Sequence, residues 1–252
     1  MTASSLEGRV ALVTGGGSGI GAACVHALAA LGAHVVVADL DGDSAGSVAA
    51  AVIGSGGSAE GVVVDVTVAA AVDEVVDGIV QRSGGLHVAV NNAGVAAPFV
   101  PLADLTDDHW RRVTSVNLDG VFHCLRAELR VMRTGAGGSV VNVSSVLGTV
   151  SRPGSAAYTG TKHAVIGLTR GAALDHATDG IRVNSVGPGF VRTPLLEGRH
   201  TPEALAAVTA RWPLARLGEP AEIAQAVAWL ASDASSFVTG THLAVDGGYL
   251  AC

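Results

Sequence analysis

Short, β-branched apolar runs separated by helix-length stretches are what most limit the fold open to this chain of 252 residues. Val10–Val13, His34–Ala38, Gly61–Val64, Val88–Val90, Ser139–Val143 and Ile181–Val186 read as strands, with His242–Val245 as a seventh. None alternates polar with apolar residues as a half-exposed sheet would, so helices are expected to cover both faces. The segments between them, about Gly19–Leu31, Ser44–Ile53, Ala69–Arg82, Asp107–Met132, Ala156–Ala177 and Pro220–Leu230, have the length of helices. Strand–helix repetition of this kind predicts an α/β protein with a doubly wound parallel sheet of about seven strands. Nothing resembles a linker, so residues 1–252 are read as a single domain. The Pro- and Gly-rich stretch 187–204 is too long for a plain connector and reads as a lid over a site.

Charge and cysteine usage narrow the partners. The formal net charge is −7 with no basic block, which argues against nucleic acid and anionic membrane. Apolar runs are broken by Gly, Asp and Ser well below the ~18 residues of a membrane span. Met1–Glu7 lacks the basic start and apolar stretch of a signal peptide. Cys24, Cys124 and Cys252 are odd in number and far apart, which fits neither a disulfide framework nor a zinc site. A reducing, cytoplasmic home is the resulting expectation. The histidines show no ligand spacing, and no metal is assigned.

The first strand runs into Thr14-Gly15-Gly16-Gly17-Ser18-Gly19-Ile20-Gly21 and then a helix. Glycines there let the chain turn tightly and bring N–H groups and the positive helix end up to a pyrophosphate. Asp39 ends the second strand, where a carboxylate accepts hydrogen bonds from adenosine ribose hydroxyls and repels a 2′-phosphate. Neither Ser18 nor Leu40 supplies a cation to offset that repulsion, so NAD(H) is expected over NADP(H). Asp41, two residues on, suits a helix cap.

Lys162 is the only lysine among 15 Lys and Arg residues, and it follows one of only 2 tyrosines, Tyr158, by one helical turn. Positions i and i+4 share a helix face, so the ammonium can stand beside the phenol and favour the phenolate. His163 points about 100° away and is expected to pack or face solvent.

Together these motifs make the chain resemble the short-chain dehydrogenase/reductase family, from about Leu6 to Tyr249. Thr14-Gly15-x-x-x-Gly19-x-Gly21 is similar to its nucleotide loop and Asn91-Asn92-Ala93-Gly94 to its signature after the fourth strand. Asn117 falls at its helix-bending Asn, and Ser145 lies thirteen residues before Tyr158 in Tyr158-Thr159-Gly160-Thr161-Lys162. Pro188-Gly189 and Thr193 match the segment that meets the nicotinamide. Gly160 departs from the Ala common there. The resemblance implies a Rossmann-type fold, an NAD cofactor and a homotetramer. It implies that Asp65 and Val66 flank the adenine, that Asn91, Ala93 and Gly94 line the adenosine ribose, and that Val191 and Thr193 meet the carboxamide.

The implied reaction is hydride transfer between nicotinamide and a secondary alcohol or ketone. Tyr158 would act as acid/base, Lys162 would lower its pKa and bond the nicotinamide ribose, and Ser145 would bond the substrate oxygen. Asn117 would hold a relay water. Expected substrate walls are Val95, Phe99, Val146, Leu147, Phe190, Leu195, Leu196 and Trp212, mostly apolar, while Arg152, Arg192 and Arg199 are candidates to meet a carboxylate or a carrier's phosphates. Three readings stay open: an NAD-dependent dehydrogenase of a free small molecule, a 3-oxoacyl-thioester reductase, and a non-catalytic nucleotide-binding regulator. Lys162→Arg separates a catalytic lysine from a surface charge, because a forked guanidinium cannot reproduce the ammonium's contacts. It is expected to lower kcat by at least ~100-fold with an unchanged circular dichroism spectrum.

Overall fold

Neighbouring residues of each central strand belong to opposite cores, which is why the strands read as unbroken apolar runs. Ala11, Val13, Val35, Val37, Val88, Val90, Val141 and Val143 pack into one cluster, whereas Val10, Leu12, Val36, Ala38, Ala89 and Val140 pack into the other. In the computed structural model, which describes residues 5–197, 201, 203, 209, 210 and 212–251, the strands are β1 (Val10–Thr14), β2 (His34–Asp39), β3 (Ser58–Val63), β4 (Val88–Asn91), β5 (Gly138–Val143), β6 (Ile181–Pro188) and β7 (His242–Val245). They form one parallel sheet of 7 strands in the order β3-β2-β1-β4-β5-β6-β7.

The helices are α1 (Gly19–Ala30), α2 (Gly42–Gly54), α3 (Ala69–Ser83), α4 (Asp107–Thr114), α5 (Gly120–Met132), α6 (Ala156–His176), α7 (Pro194–Glu197) and α8 (Pro220–Ala231). Cys24, Val25 and Leu28 of α1, Ala45, Ala49 and Val52 of α2, and Ile223, Val227 and Leu230 of α8 fill the first core. Val72, Val76 and Ile79 of α3, Val121, Leu125 and Met132 of α5, and Val165 and Ala173 of α6 fill the second. The doubly wound α/β architecture is thus the expected one. Asp41 caps α2, accepting from Asp43 N and Ser44 N through Oδ1 and from Ser44 Oγ through Oδ2.

Two elements differ from expectation. The helix expected over Asp107–Met132 is split by a π-helical turn at Ser115–Asp119, closed by Gly120 N donating to Ser115 O. The cause is Asn117, whose buried amide is drawn across to the segment after β4 (below). β3 starts at Ser58 instead of Gly61, because pairing with β2 begins at His34 and Ser58. As an edge strand it alternates in burial and so lacks the continuous apolar signal at its start.

Cys24 and Cys124 are buried thiols, and burial pushes the Cys24 pKa up to about 12. Cys252, Arg199 and Met1–Ser4 lie outside the described residues. No described helix is long and apolar enough to cross a membrane.

Candidate active site

The strand order reverses between β1 and β4, so the segments leaving their carboxyl ends part and open a crevice, as switch points of doubly wound sheets do. Thr14 and Asn91 stand side by side at its base. Thr14 Oγ1 accepts from Asn92 N at 3.1 Å and Ala93 N at 3.2 Å, and Asn92 Nδ2 donates to Thr14 O at 3.1 Å and Gly15 O at 2.9 Å. These bonds fix the glycine turn against the turn after β4. The turn leaves no room for side chains: Gly15 has φ +61°, a Cβ on it would stand 2.9 Å from Ala93 Cα, and one on Gly21 would collide with the Gly15 carbonyl. A groove of about 430 Å³ follows, lined by Gly15, Ser18, Gly19, Ile20, Asp39, Leu40, Asp65, Val66, Ala93, Gly94 and Thr193. A backbone cradle at a helix start with an acid at its far end fits a dinucleotide. Asp39 is held from both sides, Oδ2 accepting from Gly17 N at 2.9 Å and Oδ1 from Asp41 N at 3.1 Å.

Asn91 departs from the role the resemblance implied. It is the last residue of β4, and its buried side chain donates to Glu128 Oε2 at 3.0 Å and Asn142 Oδ1 at 2.9 Å, between the middle of the sheet and α5. Asn92 takes the place in the groove wall. Asp65 Oδ1 accepts from Thr67 N at 2.9 Å and Thr67 Oγ1 at 2.7 Å, which tightens the turn after β3.

A second cavity of about 210 Å³ adjoins the groove, and Ile20, Asn92, Gly94, Val95, Thr193 and Leu195 line both. Helix α6 and the turn after β5 bring Tyr158, Lys162 and Ser145 into its wall, and Pro188, Gly189 and Val191 come from the end of β6. Lys162 is buried, its Nζ 5.6 Å from the Tyr158 ring centre and donating to Val143 O at 2.8 Å. Burial lowers its pKa to about 8. Tyr158 differs from expectation: burial pushes its pKa above the usual phenol range, opposed by a hydrogen bond with Ser145 and by the Arg152 charge. The ammonium expected to depress it is aimed at a backbone carbonyl, and its own charge is weakened by burial. The neighbouring hydroxyls divide their work, since Ser144 Oγ donates to Lys162 O at 3.0 Å while Ser145 Oγ accepts from Leu147 N at 3.1 Å. The Asn117 amide is engaged at both ends by Val95, accepting from its N and donating to its O, each at 2.8 Å. The Asn117 side chain therefore ties the bent helix to the cavity wall. His163 is exposed on α6, as expected.

Of the expected walls, Val95, Phe99, Val146, Leu147, Phe190, Leu195 and Leu196 line the cavity. Trp212 stands behind it, its ring 4.8 Å from Phe190 and 5.6 Å from Tyr249. Arg152 lines the cavity, whereas Arg192 pairs with Glu219 at 3.1 Å on the surface.

Glu128 was not apparent as a site residue. It is fully buried on α5, and burial raises its pKa to about 7 against the lowering effect of the Asn91 bond. Its Oε1 and Asn91 Oδ1 have no hydrogen-bond partner among the described residues. An acid in an otherwise amphipathic helix carries no sequence mark of such burial.

Comparison with known proteins adds an independent line. The family described as Enoyl-(Acyl carrier protein) reductase matches residues 15–250. Cis-4-hydroxycyclohexanecarboxylate dehydrogenase of Sinomonas cyclohexanicum is 46% identical over 243 residues, covering 96% of this chain and 97% of that protein. Cyclohexanol dehydrogenase of Acinetobacter sp. (strain SE19) is 38% identical over 246 residues, covering 98% and 96%. Among solved structures, a gluconate 5-dehydrogenase from Burkholderia cenocepacia J2315 in complex with NADP and tartrate superposes with a TM-score of 0.94 at 36% identity, covering 99% of this chain and 98% of that one.

Glu128 generates a prediction of its own. Its folded pKa, about 7, lies above the ordinary 4.5, so the stability it contributes is complete below the unfolded value and is lost as pH rises through about 7. Glu128→Gln keeps shape and a donor without the ionisation. Between pH 5 and pH 8.5 the wild type is expected to lose on the order of a few kcal/mol more stability than the variant. Parallel denaturant titrations at the two pH values measure the difference.

Proposed function

Since the chain belongs to the short-chain dehydrogenase/reductase family and is an oxidoreductase of CH–OH groups, we propose that it oxidises a small alicyclic secondary alcohol, or reduces the ketone, with Tyr158 as acid/base and NAD(H) as preferred coenzyme. One observation carries this reading: the cavity holding Tyr158, Lys162 and Ser145 shares a wall with the groove that ends at Asp39.

The coenzyme supplies a hydride acceptor or donor at its nicotinamide ring. Around it, the chain binds and moves protons. Gly15, Ser18, Gly19, Ile20 and Gly21 would hold the pyrophosphate and Asp39 and Leu40 the adenosine ribose. Asp65 and Val66 would flank the adenine, Ala93 and Gly94 the middle of the groove, and Pro188, Gly189, Val191 and Thr193 the nicotinamide end. Of Asn91, the reading retains a supporting part under β4.

In oxidation the Tyr158 oxygen takes the hydroxyl proton as the hydride departs, and in reduction it returns one. Because burial raises its pKa, Tyr158 holds a proton at neutral pH, ready for ketone reduction, and oxidation gains as pH rises. Ser145 hydrogen-bonds the substrate oxygen and Tyr158 alike, aligning both. Lys162, with a pKa of about 8, can pass a proton on in this range and would hold the nicotinamide ribose. Asn117 acts as a positioning residue through Val95.

The lining supports the substrate class. Val95, Phe99, Val146, Leu147, Phe190, Leu195 and Leu196 make the wall beside Tyr158 mostly apolar, which suits an alcohol or ketone with a hydrophobic body. The two relatives above bear names with a cyclohexane ring. For the coenzyme, Asp39 with both oxygens held supports NAD(H), although the gluconate 5-dehydrogenase was solved with NADP.

Cyclohexanol oxidation followed by absorbance, with each coenzyme in turn, tests the reading. We expect higher kcat/KM with NAD, and a shift toward NADP in the Asp39→Ser/Leu40→Arg double variant, which removes repulsion and adds a cation. A wild-type preference for NADP would refute the role given to Asp39. Tyr158→Phe is expected to bind NADH, measured by fluorescence, but to lose nearly all turnover. Wild-type kcat in that variant would hand the proton transfer to another group.

A further inference from the structure

Resting on the reading of the groove as a coenzyme site, we propose that Glu128 is a positioning residue that works as the neutral acid. A proton on its Oε1, donated to Asn91 Oδ1, closes a cyclic acid–amide pair that holds the end of β4 and with it the groove wall. The first ground is the direction of a buried hydrogen-bond chain. Thr169 has one hydroxyl proton and spends it on Val165 O at 2.8 Å, so toward Asn142 it can only accept. Asn142 therefore turns Nδ2 to Thr169 Oγ1, at 2.9 Å, and Oδ1 to Asn91. Asn91 must answer with Nδ2, and that nitrogen spends its two protons on Asn142 Oδ1 and Glu128 Oε2. The backbone carbonyl thus fixes every amide in the chain, and no flip can supply another donor. At the far end stand two buried acceptors, Asn91 Oδ1 and Glu128 Oε1, with no partner among the described residues. They belong to side chains already joined by one bond, and a single hydrogen is missing between them. The carboxylic acid supplies it, whereas the carboxylate leaves two acceptors facing unmet.

The surroundings of Glu128 are the second ground, because they offer its charged form nothing. Asn91 of β4, Asn142 of β5 and Thr169 of α6 are uncharged. Cys124, one turn earlier on α5, is a buried thiol whose pKa is pushed well above its usual value by burial and by Glu128. On α3, Asp73 and Asp77 pair at the surface with Arg126 and Arg130 of α5. Lys162, the buried cation of α6, is turned to Val143 O. Burial raises the Glu128 pKa to about 7, opposed only by the Asn91 bond.

From this pair the groove is one residue away. Asn91 ends β4, and Asn92 starts the turn whose amide holds Thr14 O and Gly15 O and which lines the groove. Ionised Glu128 sets a charge against Asn91 Oδ1 and opens the ring, which loosens the strand where the groove begins. Coenzyme then favours the protein with neutral Glu128. By linkage its affinity is highest at low pH and falls as pH rises through about 7, and bound coenzyme raises the Glu128 pKa in return.

Two measurements on wild type and Glu128→Gln, at pH 6 and pH 8.5, test the proposal. Infrared spectra in heavy water read the carbonyl stretch of a buried carboxylic acid. The band is expected in wild type at pH 6, lost at pH 8.5 and absent from the variant. No such band at pH 6 overturns the proposal in favour of a water bridging an ionised Glu128 to Asn91. NADH affinity is then measured by fluorescence titration. Gln supplies an N–H to Asn91 Oδ1 at every pH, and Lys162 titrates in both proteins, so it cancels in their ratio. The two are expected to bind alike at pH 6, with the variant at least about fivefold tighter at pH 8.5. A ratio that does not change with pH overturns the positioning role. Glu128→Leu, which leaves the Asn91 amide unpaired, is expected to bind more weakly than Glu128→Gln at both values, and equal binding counts against the pair. If the Gln variant does not fold by circular dichroism, wild type decides alone: the acid band and NADH affinity must fall with one midpoint, and separate midpoints overturn the proposal. Absence of NADH binding by every protein at both pH values overturns the coenzyme reading of the groove, and the infrared arm still decides where the proton sits.

Discussion

The bonds that Thr14 and Asn92 exchange across the β1–β4 crevice are what the rest of the site depends on. A parallel sheet whose order reverses must let two loops part at the reversal, and the parting exposes backbone groups that need partners. Here one threonine hydroxyl and one asparagine amide satisfy four of them. The glycine turn is thereby pinned to the β4 turn, with Gly15 against Ala93. The groove on one side and the cavity on the other both borrow walls from these two turns. Slack at Thr14 or Asn92 would move both at once.

The proposed reacting groups obey a different constraint, which is burial. Tyr158 and Lys162 share a face of α6, yet the ammonium spends a donor on Val143 O and its pKa falls to about 8. Low dielectric weakens charged forms of both groups, so their electrostatic conversation is set by what else is near. In this cavity Ser145 and Arg152 do that tuning.

Most of the fold was legible in the chain because strands buried on both faces announce themselves as unbroken apolar runs. The edge strand β3 did so only from Gly61 on, since its first residues alternate between the core and solvent. Glycine spacing, Asp39 and the Tyr158–Lys162 turn were legible because they obey local geometry. What failed depended on contacts remote in sequence. Asn91 and Asn92 are adjacent, and consecutive strand residues face opposite ways, so only tertiary register tells which one meets the groove. Trp212 is apolar and close to the cavity, but Phe190 stands between. The π turn at Asn117 adds a residue to a helix without changing its composition. Arg152 reads as a surface cation until the distant Phe99 and Phe190 are seen to flank it.

The anchoring of Asp39 has a consequence for how coenzyme choice can change over evolutionary time. Its two oxygens are already bound to Gly17 N and Asp41 N, so the residue proposed to discriminate between coenzymes is also a strut of the glycine-rich turn. Replacing it to admit a 2′-phosphate strips a backbone donor of its acceptor in the same stroke. Drift toward the other coenzyme therefore meets an initial loss of loop order before any new cation can repay it. Asparagine or serine at this position would be the passable intermediates, because each still offers an oxygen to the loop. Coenzyme preference and the order of the glycine-rich turn are thereby coupled at one side chain.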